Sequence, residues 1–250
     1  MIDQIEIKNY FGMFELKKRL RNVRLKGFPD VKIYEDAKIQ IENRTPEEIK
    51  TNIFIPQPTI YRKGFLNKID RLAKVFSAKG IDIFNLNGGV DYTAYSNGDQ
   101  TDWTIIPPIV EVIPINFTNG HLNYAPWLSK ELQELMEKTK CGLNPELIML
   151  SYHEYPRSGL HPIQIICDGS HRVHSGLEKR IPQNLLFIES PKKEFPYYAA
   201  PQPYSSVHVE NKRPKEGATT KVHVLESPAH KSLYRLFPTG GILNGTVRPE

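Results

Sequence analysis

The chain has 250 residues, of which 39% are hydrophobic and 24% charged, an ordinary balance for a folded chain and one that excludes wholesale disorder. A formal net charge of +5 and a pI near 9.0 favour acidic partners such as nucleotides or nucleic acid. Two cysteines, Cys141 and Cys167, are too few for a disulfide framework or a zinc site. No stretch of about 18 apolar residues and no signal-peptide core is present, so the expectation is a reduced, cytoplasmic protein without a membrane span.

The first segment, 1–104, reads as an N-terminal extension or small α+β domain. Lys17 to Gly27, KKRLRNVRLKG, carries six basic residues with Leu16, Leu20 and Val23 on one side, the pattern of an amphipathic basic helix. Thr45-Pro46-Glu47-Glu48 has the form of a capping box opening a brief helix. Phe65 to Ser77 predicts a longer helix, with Leu66, Ile69, Leu72, Ala73 and Phe76 on its buried face. Turn signals at Asn87-Gly88-Gly89 and Ser96-Asn97-Gly98 flank Val90 to Tyr95 and predict a hairpin.

The second segment, 105–190, is the most legible. Ile109 to Ile113 predicts a strand. Ser129 is an N-cap for a helix over Lys130 to Lys140, which Gly142 stops. Leu147 to Leu150 and Ile163 to Cys167 predict two more strands, Ser170 to Lys179 a helix, and Leu185 to Ile188 a last buried strand. Such an order describes a mixed α/β fold, an α+β sheet with helices packed on it. The third segment, 191–250, is loop-rich, with short strands expected at Val207 to Val209 and Val222 to Leu225. Its proline- and tyrosine-rich Pro196 to Pro203 cannot join a central strand.

Most of the chemistry sits at Cys167-Asp168-Gly169-Ser170-His171-Arg172. A strand that gives way to a helix at Asp-Gly presents the N–H groups of Ser170, His171 and Arg172 at the positive end of the helix dipole, which favours an anion. Gly169 permits a sharp turn and close approach of a ligand. Ser170 adds a hydroxyl, Arg172 a guanidinium shaped for phosphate oxygens, and His171 a group that exchanges protons near neutral pH. Asp168 repels an anion unless a divalent metal neutralises it or it accepts a proton from an incoming hydroxyl. The plain alternative is an ordinary Asp-Gly turn with a serine or aspartate N-cap and solvated His174 and Arg172.

These residues resemble the signature of the ParB/sulfiredoxin superfamily, whose members open a helix with a G-x-x-R or D-G-x-H-R turn. The resemblance spans about Pro108 to Ser190. It implies a ParB/sulfiredoxin-like central domain with irregular extensions at both ends and a nucleotide phosphate bound at Gly169, Ser170, His171 and Arg172. Serine at 170, where sulfiredoxins carry cysteine, argues against sulfinic acid reduction. The absence of G-E-R-R argues against the clamp-like switching of chromosome-partition members. Asp168, Gly169, His171 and Arg172 match the wording of the free-serine kinases and of ParB-like NTPases tied to DNA modification and defence. The implied activity is Mg2+-dependent phosphoryl transfer from ATP or ADP to a small hydroxyl compound or water, with Asp168 as metal ligand or base and His171 and Arg172 on the phosphoryl group. Those kinases carry a glutamate just after the first strand, whereas Asn116 to Trp127 holds no carboxylate. Glu111, on the strand itself, is the nearest catalytic candidate; a solvent-facing position is the other account of it.

A reading of a different class is a DNA- or RNA-binding component of a modification, defence or partition system with a regulatory nucleotide pocket. In it Lys17, Lys18, Arg19, Arg21 and Arg24 contact phosphates. Tyr197, Tyr198 and Tyr204 either stack on bases or pack against the domain.

Overall fold

The computed structural model describes residues 4–55, 59–61, 65–96, 99–116, 160–189, 202–210 and 234–237. The helix expected at 130–140, the strands at 147–150 and 222–225, the loop residues Tyr197 and Tyr198, and Cys141 lie outside them.

Three strands from the middle of the chain form the heart of the main sheet. β9 (Ile109–Asn116) pairs antiparallel with β10 (Leu160–Asp168) and parallel with β11 (Gln183–Glu189). In β11, Leu185 and Phe187 pack against one core cluster and Leu186 and Ile188 against another, so the strand is apolar on both faces, as a central strand must be. Outside it lies β4 (Lys38–Arg44), antiparallel to β11. On the opposite flank β10 pairs parallel with β5 (Ile53–Ile55), which in turn pairs with β12 (Gln202–Pro203). The order is β12-β5-β10-β9-β11-β4. The sheet therefore draws strands from all three sequence segments.

One face of this sheet is covered by α2 (Pro46–Asn52), α4 (Ser170–Glu178) and a 3-10 turn at Tyr204–Ser206, through Ile49, Val173, Leu177 and Tyr204 against Ile53, Val110, Ile166, Leu185 and Phe187. α2 starts as expected: the Thr45 hydroxyl accepts from the Glu48 N–H, and the Glu48 carboxylate accepts from the Thr45 N–H. Tyr204 is buried and its hydroxyl donates to the Ser170 carbonyl at 3.4 Å, the packing role rather than a stacking platform. The other face packs on α1 (Met13–Leu20) and on Ile33, Tyr34 and Ala37.

A second sheet holds β1 (Gln4–Gly12), β7 (Gly88–Ser96) and β8 (Asp99–Ile105), with β7 in the centre. The β7-β8 pair is the expected hairpin, longer at both ends than Val90 to Tyr95. Against it packs α3 (Phe65–Ser77), whose Leu66, Ile69, Leu72 and Phe76 are buried as the 3.6-residue period requires. Thus the chain has an α+β fold. Ser175 of α4 donates to Asp70 of α3 at 2.9 Å, and Lys179 donates to the same carboxylate at 2.6 Å, which ties the two layers together.

The basic helix is displaced from its expected place. α1 covers Met13–Leu20, and the chain beyond it turns into β2 (Arg24–Leu25) and β3 (Phe28–Lys32). Leu16, Leu20 and Val23 are buried as expected, but the helix starts four residues earlier and Arg24 lies in a strand. β2 also pairs with β14 (Arg235–Leu236), and β13 (His208–Glu210) runs parallel to β6 (Thr59–Tyr61). Among the described residues no helix is long and apolar enough to cross a membrane.

Candidate functional site

The Asp168 to Arg172 turn lies where β10 ends, beside the start of β9, with α4 rising from it. A register shift between Ile166 and Asp168 interrupts the β9-β10 ladder just before the turn, and such a shift re-aims the side chains that follow it. Gly169 has φ +80°, ψ 14° and serves as the helix N-cap, with no side chain capping the helix. A Cβ there would meet Pro108 Cβ at 2.8 Å and Pro108 Cα at 3.0 Å. The close approach that requires glycine is therefore to Pro108, at the head of β9. The Arg172 N–H that the sequence offered to an anion is used within the helix, donating to the Gly169 carbonyl at 2.9 Å.

Asp168 is 3% exposed, and neither carboxylate oxygen has a hydrogen-bond partner among the described residues. Burial pushes its carboxyl up to about 8, against the Arg172 charge and the adjacent Gly169 N–H, which favours the ionised form without reaching hydrogen-bond geometry. Arg172, also 3% exposed, turns one Nη to the Ile106 carbonyl and leaves the other without a hydrogen-bond partner among the described residues. Burial lowers Arg172 to about 10, with Asp168 and Tyr92 acting in the other direction. A buried carboxylate and a buried guanidinium close enough to sense each other, yet without an ion pair between them, leave polar atoms unsatisfied. His171 is held neutral, its pKa lowered to about 4 by burial and by His174. His174 lies 4.0 Å from Glu178 within the helix. Ser170 stands half-buried at the first helical position.

Glu111 corrects the expectation of a solvent-facing strand residue. It is fully buried and accepts two hydrogen bonds at 2.8 Å from Arg235, one on each oxygen, and a third from the Tyr34 hydroxyl. Cys167 joins the same cluster, its thiol 3.9 Å from the Tyr34 hydroxyl and donating to the Ile109 carbonyl at 3.6 Å. Burial and the Glu111 charge raise the thiol well above its ordinary pKa, so it stays protonated and poorly nucleophilic. Cys167, next to Asp168 in sequence, thus belongs to the Glu111 cluster. The one signal for this buried cluster was the lone charge inside the apolar run Ile109 to Ile113, since a central strand has no wet face to place it on.

Residues 15–121 match the family model of the ParB CE domain. The match is consistent with the ParB-like superfamily. It covers less than half of the 250 residues and ends upstream of Asp168, so it bears on α1 through β9 and not on the turn. No match was found among curated proteins or among solved structures.

The basic residues of α1 and of the segment just after it divide into two groups. Arg19 forms a bidentate pair with Asp91, both contacts at 2.9 Å, donates to Glu15 at 3.0 Å and lies 3.9 Å above the Phe11 ring. It joins α1 to β7. Arg24 donates to the Pro29 carbonyl. Lys18 and Arg21 are exposed, and Lys17 is half-buried. Among the described residues no group of three His, Cys, Asp or Glu side chains has the spacing to hold a metal ion.

Proposed function

We propose that the turn from Asp168 to Arg172 binds the phosphate of a nucleotide, ATP or ADP, and transfers a phosphoryl group to a small hydroxyl compound or to water. The observation that carries this reading is Asp168: two buried carboxyl oxygens without hydrogen-bond partners among the described residues, next to a helix N-terminus that no side chain caps. Such an arrangement is costly unless a ligand completes it.

The backbone at the start of α4 and the Ser170 hydroxyl cradle the phosphate, and the unused Nη of Arg172 is the donor left for one of its oxygens. His171, kept neutral, donates or accepts one hydrogen bond without adding charge. Asp168 fits either of two tasks. As a Mg2+ ligand it supplies the single carboxylate that nucleotide-borne Mg2+ commonly uses, and the metal supplies charge neutralisation of the phosphates when bound. As a base, its pKa of about 8 leaves it largely protonated at pH 7, so the ionised form that takes the hydroxyl proton grows as pH rises toward 8. The acceptor oxygen forms a bond to the terminal phosphorus as the bridging P–O bond breaks, and the shortened nucleotide leaves with the bridging oxygen. Glu111, both oxygens occupied, holds β9 in place rather than touching the acceptor.

Thermal unfolding with ATP, ADP and CTP, with and without Mg2+, tests the reading. A nucleotide at about 100 times its Kd adds about 2.7 kcal/mol of stability. Asp168→Asn, which keeps the shape, should abolish the Mg2+-dependent part of the shift. Absence of any nucleotide-induced shift sinks the assignment.

A second reading, nucleic-acid binding, is favoured by the exposed face of α1, where Lys18 and Arg21 are not committed to the ion pairs that hold Arg19. Retention on DNA that collapses with salt checks it.

A further inference from the structure

Three large apolar side chains among the described residues are exposed, and two of them flank the start of α1: Tyr10 at 60% and Phe14 at 86%. Phe14 is the more unusual. It lies on the first turn of a helix whose opposite side buries Leu16 and Leu20, so nothing in the packing of that helix calls for an aromatic ring there.

Helical spacing places Lys17, Lys18 and Arg21 on the same face, three, four and seven positions after Phe14. The neighbouring acid, Glu15, is taken by Arg19, and Arg19 by Asp91. The face thus combines an unburied π surface with three cations whose charge no acidic side chain on that face offsets. We infer that this face binds single-stranded nucleic acid, with a base stacked on Phe14 and the flanking phosphates against Lys17, Lys18 and Arg21. The charge pattern selects a polyanion. The exposed ring selects one with unpaired bases, because a duplex hides the π faces of its bases within the stack. An acidic protein surface would match the cations but not the ring. The inference rests on the nucleic-acid reading above and specifies its ligand.

The two components separate experimentally, since phosphate contacts are salt-dependent and stacking is not. Fluorescence anisotropy of a labelled mixed-sequence single strand, and of the same sequence as a duplex, is measured with the full chain over a salt series. Phe14→Ala should weaken single-strand binding about 5- to 150-fold with an unchanged slope of log K against log salt. Phe14→Trp should retain wild-type affinity. The triple variant Lys17→Ala/Lys18→Ala/Arg21→Ala should lower the magnitude of that slope by about 2. Salt-dependent binding that Phe14→Ala leaves intact, or a duplex bound as tightly as the strand, overturns the stacking site while leaving nucleic-acid binding in place. Failure to bind either form at low salt overturns both. A wild-type dimer in solution that Phe14→Ala dissolves makes the face a contact between two copies of the chain, which also overturns the inference.

Discussion

Replacing Arg235 with methionine, which has a similar unbranched stem and no charge, strands the Glu111 carboxylate. The side chain of Glu111 is 0% exposed and that of Arg235 7%, and both bonds between them are 2.8 Å long. Water therefore cannot replace the lost partner, and only the Tyr34 hydroxyl remains. Breaking a buried pair by removing one member costs about 3–5 kcal/mol. For a chain of this size the corresponding fall in Tm is about 6–20 °C. Urea unfolding followed by circular dichroism gives the free energy, and calorimetry gives Tm. The double variant Glu111→Gln/Arg235→Met removes the stranded charge and keeps an acceptor for Tyr34, so it should recover at least half of the loss. A cycle over the four proteins should give a coupling of about 2 kcal/mol or more. A single variant that loses under about 1 kcal/mol, or a double variant whose loss is the sum of the singles, would show that the pair does not carry the burial cost assigned to it.

The Asp168 and His171 shifts act on stability with opposite signs. The folded-state carboxyl, raised to about 8 from 3.8, lowers stability as pH rises through that window; the histidine, lowered to about 4 from 6.5, raises stability as pH rises through its own. They offset each other between pH 4 and 6.5, so above 6.5 Asp168 alone should cost about 2 kcal/mol by pH 8. Urea midpoints for the wild type and Asp168→Asn at pH 6.5 and 8 check this, and a wild-type fall that persists in Asp168→Asn would refute it. Gly169→Ala combines a left-handed backbone with a Cβ 2.8 Å from Pro108, and should cost about 2–4 kcal/mol; a change under about 1 kcal/mol in chemical denaturation would mean the turn adapts freely.

Local signals were legible wherever one physical requirement dominated. The Thr45 capping box and the apolar stripe of Phe65 to Ser77 lie where the sequence puts them, because both depend on neighbours within a few positions. The strand, glycine and helix around Asp168 were legible for the same reason. Long-range partners were not. That Arg172 would turn to the Ile106 carbonyl, that Arg19 would join Asp91, and that Glu111 would meet Arg235 depend on contacts 66, 72 and 124 positions apart. The basic helix was misplaced because charge was followed in place of burial: Leu16 and Leu20, with Met13 partly buried against the same core, set its limits.

The strand order also dictates when the fold can close. β4 pairs with β11, residues 38–44 with 183–189, and the charge on Glu111 finds its counterion only at position 235. A chain emerging in order from the ribosome would hold β9 with an unmatched carboxylate until Arg235, 124 positions later, appears. Contacts this distant make formation slow and late, so the main sheet should settle only after position 235 has been made. Until then its apolar strands, β11 above all, are surfaces that a chaperone would have to shield.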